Sequence, residues 1–388
     1  MKKFFLVLFV LSMSQGMMAQ LTSLGLVEES ELASKWNSIR KGSLDYVPKF
    51  SFVEDNLYAA TPTGLYRSKC TSLGEWEKLP FTDELVIDFD VHGDTLIALS
   101  RKELFISTDN GKTFKSISEA EMVGESGYFF TGLAALPSDA DVIYVTNESR
   151  LAISYDCGSQ WTLAEGVHLR NIYHNPLVEN SLVGFSRDLS GSCYYYYSTD
   201  GGYQWNDCEH VYVELGNVSE IYDVAFHPTR AGRIIASGLG RYSISDDNGA
   251  TWTHISEPKY YQPIILTTDV EYDKRTPDIV YATDWTSKSS KTLCILRSTD
   301  GGYTWETFYN IENPSGHALS ISMKDNLLAI YSYGKGIYLL DVDAVDAAVA
   351  PVVNDKDATP YYDLMGRPVA HPTRGIYIMD GKKVLVDK

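Results

Sequence analysis

The sequence is short of positive charge. It has 33 lysines and arginines against 51 acidic residues, which gives a formal net charge of −18. A surface of this sign repels phosphate backbones and anionic lipid, so we expect no nucleic-acid partner and no basic membrane-binding face. Beyond the first 19 residues, no run approaches the roughly 18 apolar residues of a membrane-spanning helix, so no transmembrane segment is predicted.

Cysteines and the common catalytic signatures are also scarce. The five cysteines include no Cys-x-x-Cys pair, and no phosphate-binding glycine loop or Ser-His-Asp order is present, so we expect no metal and no cofactor. Cys193 and Cys208 lie almost symmetrically about the turn at Asp200 and are the one pair that a disulfide could join across a hairpin. The alternative is that both remain thiols.

The first 19 residues have the pattern of a targeting segment. Lys2 and Lys3 precede an apolar run from residue 4 to residue 13, and the small residue Ala19 follows. This pattern predicts a secretory signal peptide that is cut after Ala19.

An octapeptide, Ser-x-Asp-x-Gly-x-(Thr or Gln)-(Trp or Phe), organises the rest of the chain. Its five copies are Ser107–Phe114, Ser154–Trp161, Ser198–Trp205, Ser245–Trp252 and Ser298–Trp305. A degenerate sixth copy ends at Trp76, and the aromatic ends are 38 to 53 residues apart. Such a period is typical of one propeller blade, not of a helical repeat.

The octapeptide has the chemistry of a hairpin turn. A short carboxylate accepts hydrogen bonds from nearby backbone N–H groups, glycine allows a positive φ, and the aromatic residue becomes buried between sheets. We therefore interpret its aspartates as structural residues: Asp109, Asp156, Asp200, Asp247 and Asp300. The motif resembles the Asp-box, or bacterial neuraminidase repeat, over about residues 30–341. Sialidases, xyloglucanases, sortilin-type receptors and photosystem assembly factors share this repeat, so the resemblance implies the fold and leaves the activity open.

Two more strands precede each octapeptide, so the blades can be counted. Seven inner strands are predicted to begin near Lys49, Asp88, Gly132, Asn171, Asp223, Asp269 and Leu319. The sequence thus predicts an all-β fold, a seven-bladed β-propeller over residues 20–341. The seventh blade lacks an outer strand. We expect residues 30–42, with Trp36 in the blade-ending position, to supply it and close the ring; a local helix over residues 28–41 is the alternative.

The C-terminal tail has a different pattern. Residues 342–358 are small and polar, which is typical of a linker, and residues 359–388 contain three short predicted strands. Asp-Leu-x-Gly-Arg, Gly-Ile-Tyr-Ile and Lys-Lys-Val-Leu-Val resemble the short C-terminal sorting domain of type IX secretion cargo in Bacteroidetes. This resemblance implies export by the type IX secretion machinery to the medium or the outer-membrane surface, via the periplasm. A small sheet docked on the propeller is the alternative.

Two sets of residues are candidates for function. Asp88, Asp223 and Asp269 share one repeat position near the central channel, where carboxylates could hydrolyse a glycoside in a sialidase-like reaction or could simply cap strands. Loops on the rim opposite the octapeptides carry aromatic residues suited to a glycan or protein ligand: Tyr128, Tyr212, Tyr260, Tyr261 and Trp285. We favour a secreted or cell-surface recognition module without catalytic activity, with the glycoside hydrolase as the alternative.

Overall fold

The computed structural model describes most of the chain. The described residues are 21–26, 49–124, 129–136, 139–147, 150–187, 193–208, 221–238, 241–255, 265–266, 269–286, 292–312, 318–332, 336–349, 361–362, 368–369, 375–379 and 382–386. The chain divides into two compact units, of which Gln20–Val342 is one and the second contains Asp343–Lys388.

The first unit is a ring of seven four-stranded antiparallel sheets, so the predicted seven-bladed propeller is confirmed. Blade 1 contains Phe50–Val53, Asn56–Thr61, Gly64–Lys69 and Trp76–Lys78. Blade 2 contains Val86–His92, Thr95–Ser100, Glu103–Ser107 and Lys115–Ser118. Blade 3 contains Phe130–Leu136, Asp139–Asn147, Arg150–Ser154 and Thr162–Leu163. Blade 4 contains Asn171–His174, Leu182–Arg187, Cys193–Ser198 and Asn206–Asp207.

Blade 5 has the same arrangement, whereas blade 6 has a split inner strand and blade 7 takes its outer strand from the N-terminus. Blade 5 contains Ile221–Phe226, Ile234–Gly238, Arg241–Ser245 and Thr253–Ile255. Blade 6 contains the split inner strand Ile265–Leu266 and Val270–Tyr272, then Val280–Thr286, Thr292–Ser298 and Glu306–Glu312. Blade 7 contains Ala318–Lys324, Leu327–Ser332, Gly336–Asp341 and the N-terminal strand Thr22–Ser23.

The N-terminal strand closes the ring, but it is not the predicted segment. Thr22 and Ser23 pair antiparallel with Leu339 and Tyr338 and occupy the outer position of blade 7. Residues 30–42, for which closure was predicted, lie outside the described residues, as does the alternative helix over residues 28–41. The predicted closure of the ring by an N-terminal strand is confirmed, with Thr22–Ser23 as the strand described at the outer position.

The propeller core lies between blades. The second strands are almost completely buried, as in Asn56–Thr61 and Thr95–Ser100, because neighbouring blades cover both of their faces. At the junction of blades 7 and 1, Leu24 and Leu26 pack with Phe50 and Ile337. The closing segment therefore contributes to the core as well as to the sheet.

The octapeptide turns share the hydrogen bonds of their serine and aspartate, illustrated by the copy in blade 5; the indole bond of that copy recurs at Trp205 and Trp305. The hydroxyl of Ser245 accepts the N–H of Gly249 at 2.9 Å and donates to Asp247 at 2.9 Å. Asp247 accepts the N–H of Thr251 at 2.8 Å, and the indole N–H of Trp252 donates to the carbonyl of Gly249 at 2.8 Å. The equivalent N–H groups donate to Asp109, Asp156, Asp200 and Asp300. All five carboxylates are thus engaged within their own turns.

Short helices and a second sheet complete the described structure. Helix α1 is Glu119–Val123, helix α2 is Val342–Val349, and Cys70–Ser72 forms one 3₁₀ turn. Helix α2 occupies the start of the segment predicted as a linker. The tail forms a four-stranded antiparallel sheet where three strands were predicted: Tyr361–Tyr362, Pro368–Val369, Gly375–Met379 and Lys382–Val386.

Candidate functional site

The two rims of the propeller carry different features. Since the strands alternate in direction, the octapeptide turns and the turns after the inner strands share one rim, which we call the box rim. The loops between blades and the turns after the second strands form the loop rim. Inner strands begin at the loop rim, so the structure places Asp88, Asp223 and Asp269 at the loop-rim mouth of the central channel.

Asp88 connects two blades through backbone hydrogen bonds. An inner strand is the edge of its sheet, so its channel-facing N–H groups have no partner strand and must be satisfied in another way. One oxygen of Asp88 accepts the N–H of Phe89 in its own blade at 2.8 Å. The other accepts the N–H of Leu133 in blade 3 at 3.0 Å. The carboxylate therefore links two adjacent inner strands. We call such a side-chain link, in which an oxygen accepts a backbone N–H of the next blade, a bracket.

The same bracket recurs around the channel. Asp223 of blade 5 accepts the N–H of Val270 in blade 6 at 3.3 Å. Asp269 of blade 6 accepts the N–H of Ile321 in blade 7 at 3.0 Å, and the hydroxyl of Ser320 also donates to it. Every candidate catalytic carboxylate thus holds a neighbouring blade.

Two further brackets were not predicted from the sequence. They lie two residues further along their inner strands, at Asp90 after Asp88 and at Ser322 after Ser320. Asp90 accepts the N–H groups of Val91 and Ala135, each at 3.0 Å. The Ser322 hydroxyl accepts the N–H of Phe52 at 2.9 Å and links blade 7 to blade 1. The signal was available in the sequence, because acceptor side chains alternate along these strands with the period of two that a strand requires.

An ion pair joins blades 1 and 2 at the channel mouth. The Lys49 ammonium lies 2.8 Å from Asp88 and 5.5 Å from the ring centroid of Phe89. Burial alone would lower the pKa of Lys49, but the carboxylates of Asp88 and Asp90 outweigh burial and the pKa is raised. Burial raises the pKa of Asp88, and Lys49 only partly opposes this effect.

Asp223 and Asp269 are neighbouring buried carboxyl groups that affect each other's ionisation, and we call them the carboxyl pair. Burial, followed by the charge of Asp223, raises the pKa of Asp269 well above its usual range. Burial also raises the pKa of Asp223.

Two other ionisable side chains belong to the inner strands. Burial raises the pKa of Glu271 to about 7, with Lys274 opposing the shift and Asp223 adding to it. Burial lowers the pKa of His174 to about 4. Glu271 interacts with Asp223 of the carboxyl pair, and His174 interacts with Asp90. Several ionisable side chains of the inner strands therefore have pKa values far from their usual range.

The aromatic residues proposed as ligand contacts are only partly placed. Tyr128, Tyr212, Tyr260 and Tyr261 lie outside the described residues. Trp285 is in the second strand of blade 6, where its backbone pairs with Leu266, and not in the loop where the sequence placed it.

Exposed aromatic residues that the sequence analysis did not select are present on both rims. On the loop rim, Phe129 is 49% exposed and lies 5.6 Å from the Arg101 guanidinium. On the box rim, Tyr155 and Tyr203 are stacked at 5.6 Å with an interplanar angle of 10°, and Tyr303 lies 4.7 Å from the guanidinium of Arg233. Each of the two box-rim contacts joins adjacent blades.

The predicted disulfide between Cys193 and Cys208 is not formed. The N–H of Cys208 donates to the carbonyl of Tyr195 at 3.0 Å, so Cys208 lies opposite Tyr195 and Cys193 is two residues away. The Cys208 thiol donates instead to the carbonyl of Gly249 at 2.7 Å. The turn shifts the strand register away from the symmetry assumed for the pair.

The described residues have neither a metal-binding cluster nor a membrane-spanning helix. They contain no group of three or more His, Cys, Asp or Glu side chains arranged to hold a metal ion. No helix within this part of the chain is long and apolar enough to cross a membrane.

Comparisons with known proteins identify solved structures with a similar fold. No family model and no curated protein sequence matches the chain. YCF48 bound to D1 peptide matches with a TM-score of 0.57 and 18% identity, over 76% of this chain and 92% of that chain. YCF48 from Cyanidioschyzon merolae matches with a TM-score of 0.55 and 14% identity, over 77% of this chain and 97% of that one.

An enzyme structure shares the fold over a smaller part of its length. An ancestral GH74 enzyme matches with a TM-score of 0.51 and 14% identity, over 64% of this chain and 34% of the enzyme. At such low identities these similarities show the fold alone: the chain is a seven-bladed β-propeller similar in structure to YCF48 and to part of a GH74 enzyme.

Proposed function

We propose that this protein is a secreted or cell-surface recognition module that binds a protein or glycan ligand at its loop rim. The proposal rests on the hydrogen bonds of the channel carboxylates. Asp88, Asp223 and Asp269 each accept a backbone N–H from the next blade. Groups held in this way are poorly placed to transfer protons to a substrate. The peptide bound to YCF48 favours a peptide ligand over a glycan.

We further propose that the protein is cargo of the type IX secretion machinery and reaches the medium or the outer-membrane surface through the periplasm. The sequence of the tail resembles the sorting domain of such cargo. The tail also forms its own sheet and belongs to a different compact unit from the propeller, which suits a separately recognised element.

Peptide and glycan arrays probed with the exported protein test the recognition role. Replacing Tyr260, Tyr261 or Trp285 with Ala should weaken capture about tenfold, the effect of losing about 1 to 2 kcal/mol of aromatic contact. Asp223→Asn and Asp269→Asn should leave capture at neutral pH largely intact. The matched control is Tyr203→Ala, which removes an exposed tyrosine from the opposite rim. Equal loss of capture in the control would contradict the loop-rim assignment.

A sialidase-like glycoside hydrolase is the second candidate. It is favoured by the similarity to a GH74 enzyme and by the shifted pKa values of the carboxyl pair. Incubating the purified protein with sialylated and neutral glycans tests it. Release of sugar that Asp223→Asn abolishes would establish the enzyme and overturn the recognition proposal.

A further inference from the structure

Two exposed tyrosines lie together on the box rim, where blades 3 and 4 meet. Tyr155 is the second residue of the blade 3 octapeptide and is 41% exposed, and Tyr203 is the sixth residue of the blade 4 octapeptide and is 70% exposed. Their rings are stacked 5.6 Å apart with an interplanar angle of 10°. Stacking uses one face of the Tyr203 ring, so the rest of this aromatic side chain is open to solvent.

The junction of blades 5 and 6 shows which group a tyrosine in the sixth octapeptide position can hold. Tyr303 has this position in blade 6, and the guanidinium of Arg233 in blade 5 lies 4.7 Å from its ring centroid. The same guanidinium donates to Asp246 at 2.8 and 2.9 Å and to the carbonyl of Gly301 at 2.7 Å. An aromatic ring and a carboxylate therefore bind one arginine side chain here, through cation–π attraction and charge-assisted hydrogen bonds.

Blade 3 has no arginine at the equivalent place. Ile143 of blade 3 and Ile234 of blade 5 each pair with the first serine of their octapeptide, so Val142 occupies the position of Arg233. The octapeptides of blades 3 and 4 and the turn at residues 175–181 contain no lysine or arginine. Their acidic residues are Asp156, Glu179 and Asp200. The open side of the Tyr203 ring thus lies in an acidic sector of the box rim.

The two octapeptide carboxylates of this sector each have an oxygen that their own turn does not use. In blades 2, 5 and 6 the seventh octapeptide residue is threonine, and its hydroxyl donates to the second oxygen of the aspartate, as Thr304 does to Asp300. In blades 3 and 4 the seventh residue is glutamine, and only one oxygen of Asp156 and of Asp200 accepts hydrogen bonds from the described residues. The second oxygen of each is available to a donor from another molecule.

We propose that Tyr155, Asp156, Asp200 and Tyr203, which we call the tyrosine surface, bind an arginine side chain presented by a partner protein. A guanidinium stacks on an aromatic ring and donates to a carboxylate, the combination that Arg233 meets between blades 5 and 6. Charge favours the same partner, because the chain has a net charge of −18 and this sector has no basic residue. The tyrosine surface is on the rim opposite the proposed ligand site, so loss of peptide capture through Tyr203→Ala alone would report on this surface and not on the loop rim.

Fluorescence anisotropy of the full-length protein with two labelled peptides of equal length tests the proposal. One peptide alternates glycine and arginine, and the other alternates glycine and lysine, so the lysine peptide measures the general attraction of a basic chain to an acidic protein. We expect the wild-type protein to bind the arginine peptide about three- to tenfold more tightly than the lysine peptide. Tyr203→Ala should remove this preference. Asp200→Asn keeps an acceptor oxygen for the turn but removes the charge, so it should reduce the preference as well.

Two controls match these variants. Tyr303→Ala removes an exposed tyrosine from the same octapeptide position, but its ring already contacts Arg233, so the preference for arginine should remain. Asp300→Asn changes the net charge as Asp200→Asn does, but both oxygens of Asp300 are engaged in their own turn, so the preference should again remain. Equal binding of the two peptides by the wild-type protein would overturn the proposal. A preference that either tyrosine-surface variant retains, or that the controls lose to the same extent, would overturn it too.

Discussion

The fifth residue of the octapeptide is glycine in every copy because this position contacts the preceding blade. A Cβ on Gly249 would lie 2.6 Å from Cγ1 of Val183 in blade 4, and one on Gly302 would lie 2.6 Å from Cδ1 of Ile235 in blade 5. Both glycines also have positive φ, at 90° and 98°. The glycine therefore serves the turn and the packing between blades together, whereas the sequence analysis assigned it only to the turn.

Gly249→Ala should lower the free energy of unfolding by about 2 to 4 kcal/mol. About 1 to 2 kcal/mol comes from a side chain at positive φ, and the rest comes from overpacking against Val183. Gly93→Ala is the control, since Gly93 has a φ of 56° and a Cβ there would meet nothing within 4 Å. Urea denaturation should give a loss near 1 kcal/mol for the control. Equal losses in the two variants would contradict the packing role.

At the scale of secondary-structure elements, the ring is held by strand pairing at one junction and by side-chain brackets around the channel. Within the described residues, the closing strand pairs through Thr22 and Ser23, and the N–H of Leu24 donates to the carbonyl of Ile337 at 2.8 Å. Burial supplements it: Leu24 and Leu26 are 8% and 5% exposed, and the indole N–H of Trp76 donates to the carbonyl of Leu24 at 3.2 Å. The N-terminal segment therefore stabilises the ring through buried side chains as well as through strand pairing.

Leu24→Ala should destabilise the propeller by about 2 to 4 kcal/mol, because it leaves a cavity at the junction of blades 7 and 1. Leu177→Ala is the control, since Leu177 is 44% exposed and should change stability by no more than about 0.5 kcal/mol. The denaturation midpoint of each variant provides the measurement. A Leu24 variant as stable as its control would show that closure does not depend on this segment.

The octapeptides made the blades predictable, because the aromatic residue that ends each copy has the same packing role. Aromatic residues that end a blade pack against the preceding blade, as Trp252 of blade 5 does with Val183 and Phe185 of blade 4. By the same rule, Trp76 of blade 1 packs against blade 7 with Leu24. Trp36 was predicted to end blade 7 in the same way, but it lies outside the described residues.

The sequence predicted where the candidate carboxylates lie, but it did not predict the groups to which they are hydrogen-bonded. The repeat placed Asp88, Asp223 and Asp269 at one level of the channel, and all three are there. Their partners are backbone N–H groups of the next blade, about 45 to 52 residues away in sequence. Such contacts depend on the stagger between blades. No local pattern records that stagger, so the backbone partners of these carboxylates could not be predicted from the sequence.

At the scale of the whole molecule, the two compact units have separate architectures. The propeller unit, Gln20–Val342, contains all seven blades, and its last strand position is filled from the N-terminus. Among the described residues, the tail strands pair with one another, through the register of Gly375–Met379 with Lys382–Val386 and of Tyr361–Tyr362 with its neighbours. No described strand of a blade comes from the tail, so we expect the propeller to fold without it.

Deleting residues 359–388 should therefore leave a folded propeller that is no longer exported beyond the periplasm. The reason is that the deletion removes the proposed sorting element and no strand of the ring. Cell fractionation of a type IX-competent host gives the location, and the denaturation midpoint of the purified protein shows whether the propeller is intact. The control replaces Tyr203 with Ala in the full-length chain, which alters an exposed surface residue and leaves the tail untouched. A truncated protein that still reached the medium or cell surface would refute the sorting role, whereas one that failed to fold would show that the propeller depends on the tail.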